Sequence, residues 1–265
     1  MSRIEIRCSL LLGVGVLIAM VSPVQAQSVP PCTPLPVTLT GLMVPVVAGM
    51  KDAPFSATGK QTFDQKLPGG NAIHGVVLSR MARDSSGRTR VETLRRCWHG
   101  QDGNIHAAWN VVINDSVAGK SLTWIIEDGA SKVVHVTPYP NANQRTPTPE
   151  ELARSKREAA FFQPPQSELQ IEDLGTKNIN GVSAEGKRET RKIPAGEEGN
   201  ELPMTTVDEA WDSKQLGQKV MTIRDNPRSG RFVFVLEDVK LQEPDASLFA
   251  APAGYTVEEI KPVNQ

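Results

Sequence analysis

The stretch AIHGVVLSRMARDSSGRTRVETLRR, residues 72–96, decides the predicted fold. It holds two runs of mixed apolar and polar residues, 72–83 and 89–96, on either side of the turn-forming sequence Asp-Ser-Ser-Gly, residues 84–87. Runs of this kind, separated by a turn, are typical of two antiparallel strands. The sequence therefore predicts a β-hairpin over residues 72–96.

The same change between apolar segments and turn residues continues on both sides of this hairpin. Glycine, proline and aspartate mark the turns, which favours short connections between neighbouring strands. The sequence thus predicts an antiparallel meander of about ten or more strands. The further predicted strands cover residues 55–63, 105–114, 122–127, 132–137, 169–179, 183–193, 204–211, 219–225 and 231–241.

A proline-rich crossover, residues 138–168, interrupts the strands and contains one helix signature. Thr148 can cap the helix, Pro149 suits its first turn, and Glu151 stands three residues after the cap. This spacing is that of a capping box and predicts a short helix over residues 148–162. The helix is interpreted either as an ordinary crossover between two halves of the sheet or as a lid over an apolar surface.

The first 26 residues have the pattern of an export signal. Arg3 and Arg7 precede an apolar stretch, residues 10–21, that is too short to span a bilayer, and the segment ends on the small residue Ala26. This pattern predicts a signal peptide cleaved near Ala26 and a periplasmic or secreted product.

The rest of the chain is predicted to form one domain with short flanking segments. Residues 27–54 are a proline-rich lead-in, residues 55–260 a single β domain, and residues 261–265 a tail. No second apolar stretch of about 20 residues follows the signal, so no transmembrane segment is predicted in the mature chain.

The charge balance excludes some classes of partner. The chain has 29 basic and 30 acidic side chains, so it lacks the positive field that nucleic acid requires. Residues 114–121, NDSVAGKS, approach a phosphate-binding loop, but Asn114 stands in place of its first glycine and the fragment lies between two predicted strands. A hairpin turn is predicted there, and no cofactor is expected.

The cysteines fit the export prediction. Cys8 leaves with the signal, whereas Cys32 and Cys97 remain as an even pair in an oxidising compartment. Such a pair favours a disulfide. The alternative is two free thiols. If Cys97 were free, its position two residues before His99 would place a thiol and an imidazole on the same face of a strand.

Four stretches resemble an uncharacterised family of exported bacterial β-rich proteins. They are residues 81–92, MARDSSGRTRVE, together with residues 174–200, 209–216 and 224–249. At fold level this family is similar to the periplasmic lipoprotein-carrier and sigma-regulator sensor group. The resemblance implies a curved, half-barrel-like antiparallel sheet around an apolar cavity, and it implies no catalytic residues.

The tryptophans are the first candidate binding residues. All four fall on or beside predicted strands, so they either pack in the core or, if the sheet is curved, line an apolar cavity with their indole donors at its rim. They are Trp98, Trp109, Trp124 and Trp211.

Arginines around the first hairpin form a second candidate set. Strand alternation puts Arg88, Arg90 and Arg96 on one face, where they would bind phosphate or carboxylate groups. The alternative is a solvated outer face on which these arginines pair with Asp84 and Glu92. No metal site is predicted, because no two of the four histidines have the spacing of a ligand pair.

These patterns together predict a non-enzymatic envelope protein that binds an apolar or lipidated ligand in the concavity of a curved sheet. The expected partners are a lipid, a lipoprotein or another envelope protein. Two alternatives stay open: a structural or protein-interaction module that adds a partner strand to an exposed sheet edge, and a hydrolase that uses Cys97 and His99 or a histidine-bound metal.

Overall fold

The computed structural model describes residues 46–139, 148–161 and 168–260. All eleven predicted strands are present, with ends shifted by at most three residues, and one further strand follows them. The strands are β1 (Phe55–Lys66), β2 (Ala72–Arg83), β3 (Thr89–His99), β4 (Ile105–Asp115), β5 (Lys120–Ile126), β6 (Val133–Pro138), β7 (Glu168–Ile179), β8 (Val182–Ile193), β9 (Met204–Ser213), β10 (Gln218–Asn226), β11 (Gly230–Lys240) and β12 (Thr256–Glu259), and the helix is α1 (Pro149–Phe161).

The strands form one large sheet in the order β12-β6-β5-β4-β3-β2-β1-β11-β10-β9-β8-β7. One antiparallel meander runs from β1 to β6 and a second from β7 to β11, and pairing of β1 with β11 joins them. The predicted fold class, mainly β with one large sheet and one short helix, is confirmed. Within the described residues the end strands β12 and β7 do not pair with each other, so the sheet is open.

Two features of the sheet differ from the prediction. The strand order is not that of a single meander, because the first strand lies in the middle of the sheet. In addition, β12 runs parallel to β6, whereas the sequence predicted only antiparallel neighbours. A strand of four residues with three polar side chains has too little apolar pattern to be found in advance.

The predicted capping box is confirmed at the start of α1. The backbone N–H of Thr148 donates to Glu151 Oε2 at 2.8 Å, and the N–H of Glu151 donates to Thr148 Oγ1 at 3.2 Å. Residues 162–167, which would connect the helix to β7, lie outside the described residues. The crossover and lid interpretations of the helix therefore both stay predictions.

Buried apolar side chains form two main clusters. One joins β1, β2 and the second meander and includes Phe55, Phe234 and Trp211. The other lies on β4, β5 and β6 around Trp124, and Tyr255 from the segment before β12 packs against it. The core therefore has two parts: one joins the two meanders, and the other lies within the first meander.

A fully buried arginine connects three distant segments of the chain. The Arg83 guanidinium at the end of β2 donates to the carbonyl oxygens of Val47, Ala53 and Leu216 at 2.6–3.2 Å. It also lies over the ring of Phe55, 5.1 Å from the ring centre. Burial lowers the pKa of Arg83. These contacts hold the end of the lead-in and the turn after β9 against β2.

The fragment that approaches a phosphate-binding loop forms the turn between β4 and β5, as predicted. Asp115 Oδ1 accepts hydrogen bonds from the N–H groups of Val117 and Ala118, and Gly119 has a positive φ of 65°. No phosphate-binding helix start is present at this turn.

Several predicted segments lie outside the described residues. They are the signal peptide, residues 1–26, most of the lead-in, and the tail, residues 261–265. The domain boundaries and the cleavage near Ala26 therefore stay predictions. In the part of the chain that the structure describes, no helix is long and apolar enough to cross a bilayer.

Gly186 gives a test of the packing between β8 and β9. It lies opposite Trp211, and a Cβ added at this position would lie 2.7 Å from the indole ring. We expect Gly186→Ala to lower the free energy of unfolding by about 1–3 kcal/mol, because the ring must shift. Urea unfolding followed by circular dichroism measures this loss. In a Trp211→Leu background the loss should shrink toward zero, and an unchanged loss would contradict the contact.

Candidate ligand-binding face

One row of side chains lies on a single face of β5, β4 and β3 and contains the candidate residue Trp109. Residues that stand opposite each other on paired strands share a face, so the strand registers define the row. It reads Ile126, Trp109 and Leu94, and Leu78 of β2 packs against the last two.

Trp124 belongs to the same face. It lies two residues before Ile126 in β5, and side chains two apart on a strand point to the same side. Trp109 and Trp124 therefore share one face of the sheet, which we call the tryptophan face. Trp211 packs in the other buried cluster, with Phe55 and Phe234.

The three indoles are buried without a hydrogen-bond acceptor. Trp109 and Trp124 are each 2% exposed and Trp211 is 6% exposed. No Nε1 atom of these three rings has a hydrogen-bond partner among the described residues. A buried N–H donor without an acceptor raises the free energy of the folded state by about 1–3 kcal/mol. Two such donors on the tryptophan face, and a third in the cluster around Phe234, call for a specific explanation.

A cation lies against each of these rings. The guanidinium carbon of Arg80 is 4.9 Å from the ring centre of Trp109, and that of Arg90 is 5.0 Å from Trp124. Lys177 Nζ is 5.6 Å from the ring centre of Trp211. Each indole thus presents its ring to a positive charge.

Glu92 holds two of these cations in place. Its Oε2 accepts from Arg80 Nη1 at 2.9 Å, and its Oε1 accepts from Arg90 Nη2 at 2.6 Å. The Glu92 side chain is 8% exposed. The three groups together carry a net charge of +1 in a largely buried place beside Trp109 and Trp124.

A segment near the end of the described chain covers part of the tryptophan face. Arg90 Nη1 donates to the carbonyl oxygen of Leu248 at 3.0 Å, and the ring of Tyr255 meets Trp124 edge-on at 6.5 Å. Farther back, the Ser85 N–H donates to Glu243 at 3.0 Å. Residues 241–260, which we call the C-terminal strap, thus lie over Trp124 and Arg90. The structure does not leave an empty cavity at this point.

The fourth tryptophan lies on the opposite face. A register shift between Leu94 and Arg96 places Arg96 opposite Ala108 and Trp98 opposite His106. Arg96 lies over Trp98 at 4.4 Å, pairs with Glu127, and Trp98 stacks on His106 at 5.6 Å. Arg96 is exposed and Trp98 and His106 are half-buried, and the cluster is separate from the tryptophan face.

The three candidate arginines make separate contacts. Arg88 pairs with Asp84 at 2.5 Å and lies over Phe249, 5.1 Å from its ring centre. Arg90 pairs with Glu92, as described above, and Arg96 is on the other face because of the bulge. The pairing partners Asp84 and Glu92 match the alternative in the sequence analysis, but both acids are buried instead of solvated.

Sequence reasoning missed two parts of this site. The pairing of Arg80 with Glu92 follows once the turn at residues 84–87 fixes the hairpin register, so the signal was present in the sequence. The position of Lys177 over Trp211 depends on how β7, β8 and β9 assemble, and the local sequence carries no sign of it.

The hydrolase alternative finds no support at its proposed nucleophile. Cys97 is disulfide-bonded, so its sulfur is not available as a thiolate. The other sulfur lies outside the described residues, and pairing with Cys32 stays a prediction. Among the described residues, no three His, Cys, Asp or Glu side chains are grouped so that they could hold a metal ion.

Comparisons with known proteins find similarity only among solved structures. No family model and no curated protein matches the chain. A chain from the MucA–MucB complex of Pseudomonas aeruginosa is similar at 13% identity and a TM-score of 0.38, over 79% of this chain and 59% of that one. This chain therefore spans less than two thirds of that protein.

Two other solved structures are similar to this chain at fold level. A LolA-superfamily protein of Nitrosomonas europaea has 8% identity and a TM-score of 0.28, over 76% of this chain and 91% of that one. An outer-membrane lipoprotein-sorting domain of Vibrio parahaemolyticus has 9% identity and a TM-score of 0.26, over 74% and 89%.

Removing the charge of Glu92 tests the buried cluster. We expect Glu92→Gln to lower the free energy of unfolding by about 2–3 kcal/mol, because two partly buried guanidinium groups lose their counter-ion. The matched control is Asp212→Asn, which breaks an exposed 3.0 Å pair with Lys219 and should change stability by less than about 1 kcal/mol. Equal effects of the two substitutions in urea unfolding would contradict the buried role.

His106 gives the β3–β4 hairpin a pH dependence. Its Nε2 lies 3.0 Å from Asp102, and this hydrogen bond raises the pKa of His106, with a smaller contribution from Asp128. A raised folded-state pKa means that the stabilisation is complete below the unfolded pKa, about 6.5, and disappears as pH rises through the folded pKa. We expect stability to fall across that range, and His106→Gln to flatten the fall. A slope unchanged in His106→Gln would contradict this assignment.

Proposed function

We propose that the protein binds an apolar, acylated ligand against the tryptophan face. The observation that carries this proposal is the pair of buried indole N–H donors on this face, those of Trp109 and Trp124, each without an acceptor and each with a cation against its ring. In this proposal the ligand supplies the hydrogen-bond acceptors that these donors lack.

The donors define the chemistry of the ligand. An indole N–H needs an oxygen acceptor, and the ester or amide carbonyl of an acylated molecule is an acceptor that can enter an apolar environment. The neighbouring side chains Leu94, Val111 and Leu122 are apolar and would pack against the chain of the ligand.

The cations narrow the ligand further. Arg80, Arg90 and Glu92 leave one positive charge uncompensated beside two of the indoles. An acidic group on the ligand would balance this charge at short range. An acylated molecule with an anionic end, of the kind found in lipids and lipoproteins, combines all three properties.

Entry of such a ligand requires the C-terminal strap to move away from Trp124. The strap joins the sheet through polar contacts to Arg90 and Ser85, through a strand of only four residues, and through the rings of Phe249 and Tyr255. Most of its other side chains are exposed, which favours local opening at low free energy. The strap is therefore the proposed gate to the tryptophan face.

The proposed location follows from the predicted signal peptide. Lipids, lipoproteins and other envelope proteins are the partners available to a periplasmic or secreted protein. A disulfide between Cys97 and Cys32, proposed here as the pairing, would form in such a compartment and tie the lead-in to β3.

Tryptophan-to-phenylalanine variants test the proposal, because they remove the N–H donor and keep a ring. We expect Trp109→Phe and Trp124→Phe each to weaken binding of a fluorescent fatty acid by about fivefold to tenfold, the value of one hydrogen bond. The ligand-free variants should be as stable as the parent or more stable, because an unpaired donor is gone.

Trp98→Phe is the matched control, since its ring lies on the other face. It should leave fatty-acid affinity unchanged. The proposal fails if the parent protein binds no fatty acid and no acylated peptide. It also fails if Trp98→Phe weakens binding as much as Trp109→Phe and Trp124→Phe do.

A further inference from the structure

The strand β7 ends the sheet and offers a long open edge. It spans twelve residues, Glu168–Ile179, and pairs with β8 on one side. Within the described residues no strand pairs with its other side. A strand edge of this kind carries a row of backbone N–H and C=O groups that can accept another strand.

The first six residues of β7 form the straight part of the edge. The register with β8 shifts between Asp173 and Gly175, and Gly175 has a positive φ of 71°. A bulge interrupts the pairing of a strand. Residues 168–173 precede it and span about 20 Å, which is the length of a typical short strand.

One face of this edge is apolar. Leu169 and Ile171 alternate along β7, so they point to the same side, and they are 56% and 62% exposed. Leu169 also lines an open groove of about 320 Å³ that crosses β7 to β10, and apart from Leu169 and Ile193 this groove is lined by charged and polar side chains. The apolar part of the face is therefore Leu169 and Ile171 themselves, and an aliphatic side chain placed beside them would pack against these two residues.

The other face of the same edge is acidic. Glu168 pairs with Lys192 at 3.3 Å and Glu172 pairs with Arg188 at 3.0 Å, both across to β8. Both carboxylates are more than half exposed. Their outer sides stay open to a cation on a neighbouring strand.

We propose that an extended segment of a partner protein pairs with β7 over residues 168–173. Its alternate side chains are aliphatic toward Leu169 and Ile171, and basic toward Glu168 and Glu172. Main-chain hydrogen bonds supply the general attraction, and the two sets of side chains supply the selection, as in other cases of strand addition. This site is independent of the tryptophan face.

Charge favours a basic partner segment over a second copy of this chain. An antiparallel pairing of two β7 strands that brings Leu169 opposite Ile171 also brings Glu168 opposite Glu172, twice. Like charges directly opposite each other destabilise a strand pair. A segment with lysine or arginine at these positions gains two attractive pairs instead.

Peptides of defined charge test this proposal. A labelled peptide of alternating valine and lysine is titrated with the full mature protein at low salt, and fluorescence anisotropy measures its binding. A peptide of alternating valine and glutamate is the comparison. We expect at least a tenfold preference for the lysine peptide, and equal binding of both peptides would overturn the proposal.

Variants of β7 identify the place of binding. Leu169→Ala with Ile171→Ala should weaken binding of the lysine peptide about tenfold, and Glu168→Gln with Glu172→Gln should remove most of its salt dependence. The matched controls are Val117→Ala, an aliphatic residue exposed in the β4–β5 turn, and Glu185→Gln, which pairs with Lys214 on the surface. Both controls should bind like the parent.

Two further outcomes separate this proposal from its rivals. If sedimentation shows a dimer that Ile171→Ala dissociates, a second copy occupies the edge and the proposal is overturned. Trp109→Phe should leave peptide binding unchanged, so failure of fatty-acid binding and failure of peptide binding are distinguishable. A loss of peptide binding in Trp109→Phe would place the peptide on the tryptophan face and overturn the edge site.

Discussion

Everything in this fold depends on the pairing of β1 with β11. These strands lie about 170 residues apart in the chain, and their ladder from Ser56–Lys240 to Asp64–Arg231 joins two meanders that are otherwise each built from sequence neighbours. The pairing brings Phe63 to 4.7 Å from Phe232, and the absence of a side chain at Gly59 leaves room for Phe234. Closing so long a loop is opposed by chain entropy, so the apolar contacts along this ladder must outweigh it. The buried cluster of Phe55, Phe234 and Trp211 spans both meanders only because this ladder exists.

Bulges decide which side chains reach which face. Without the extra residue between Leu94 and Arg96, strand alternation would place Arg96 beside Arg90 and Trp98 on the tryptophan face. The bulge instead reverses the faces of the residues at the end of β3, so that Arg96, Trp98 and His106 form a second cluster on the opposite face. One inserted residue thus divides the arginines and tryptophans of a single strand between two environments of different polarity. The tryptophan face keeps only the members that are buried.

The sequence predicts the local structure well and the long-range structure poorly, for physical reasons. Strand positions follow from alternation and turn residues, and the start of α1 follows from the spacing of Thr148 and Glu151, because these signals act between near neighbours. The pairing of β1 with β11 and the parallel β12 leave no local trace. The site shows the same division. Arg90 with Glu92 could be expected from one hairpin, whereas the face of Arg96 depends on a bulge, and a shift of one residue in register reverses a face.

The tryptophan face combines two features that a purely structural core does not need. A largely buried arginine–glutamate–arginine group is seldom a source of stability, since apolar residues of similar volume serve at least as well. Two unpaired indole donors raise the free energy of the folded state further, by amounts that matter for a domain whose total stability is about 5–15 kcal/mol. Phenylalanine at each position would keep the ring and its contact with the neighbouring cation, and would avoid the unpaired donor. The chain nevertheless places donors at Trp109 and Trp124, and a charge beside both of them. A bound anionic ligand with a hydrogen-bond acceptor would satisfy the indole donors and balance the charge. These residues are therefore suited to the ligand-bound state.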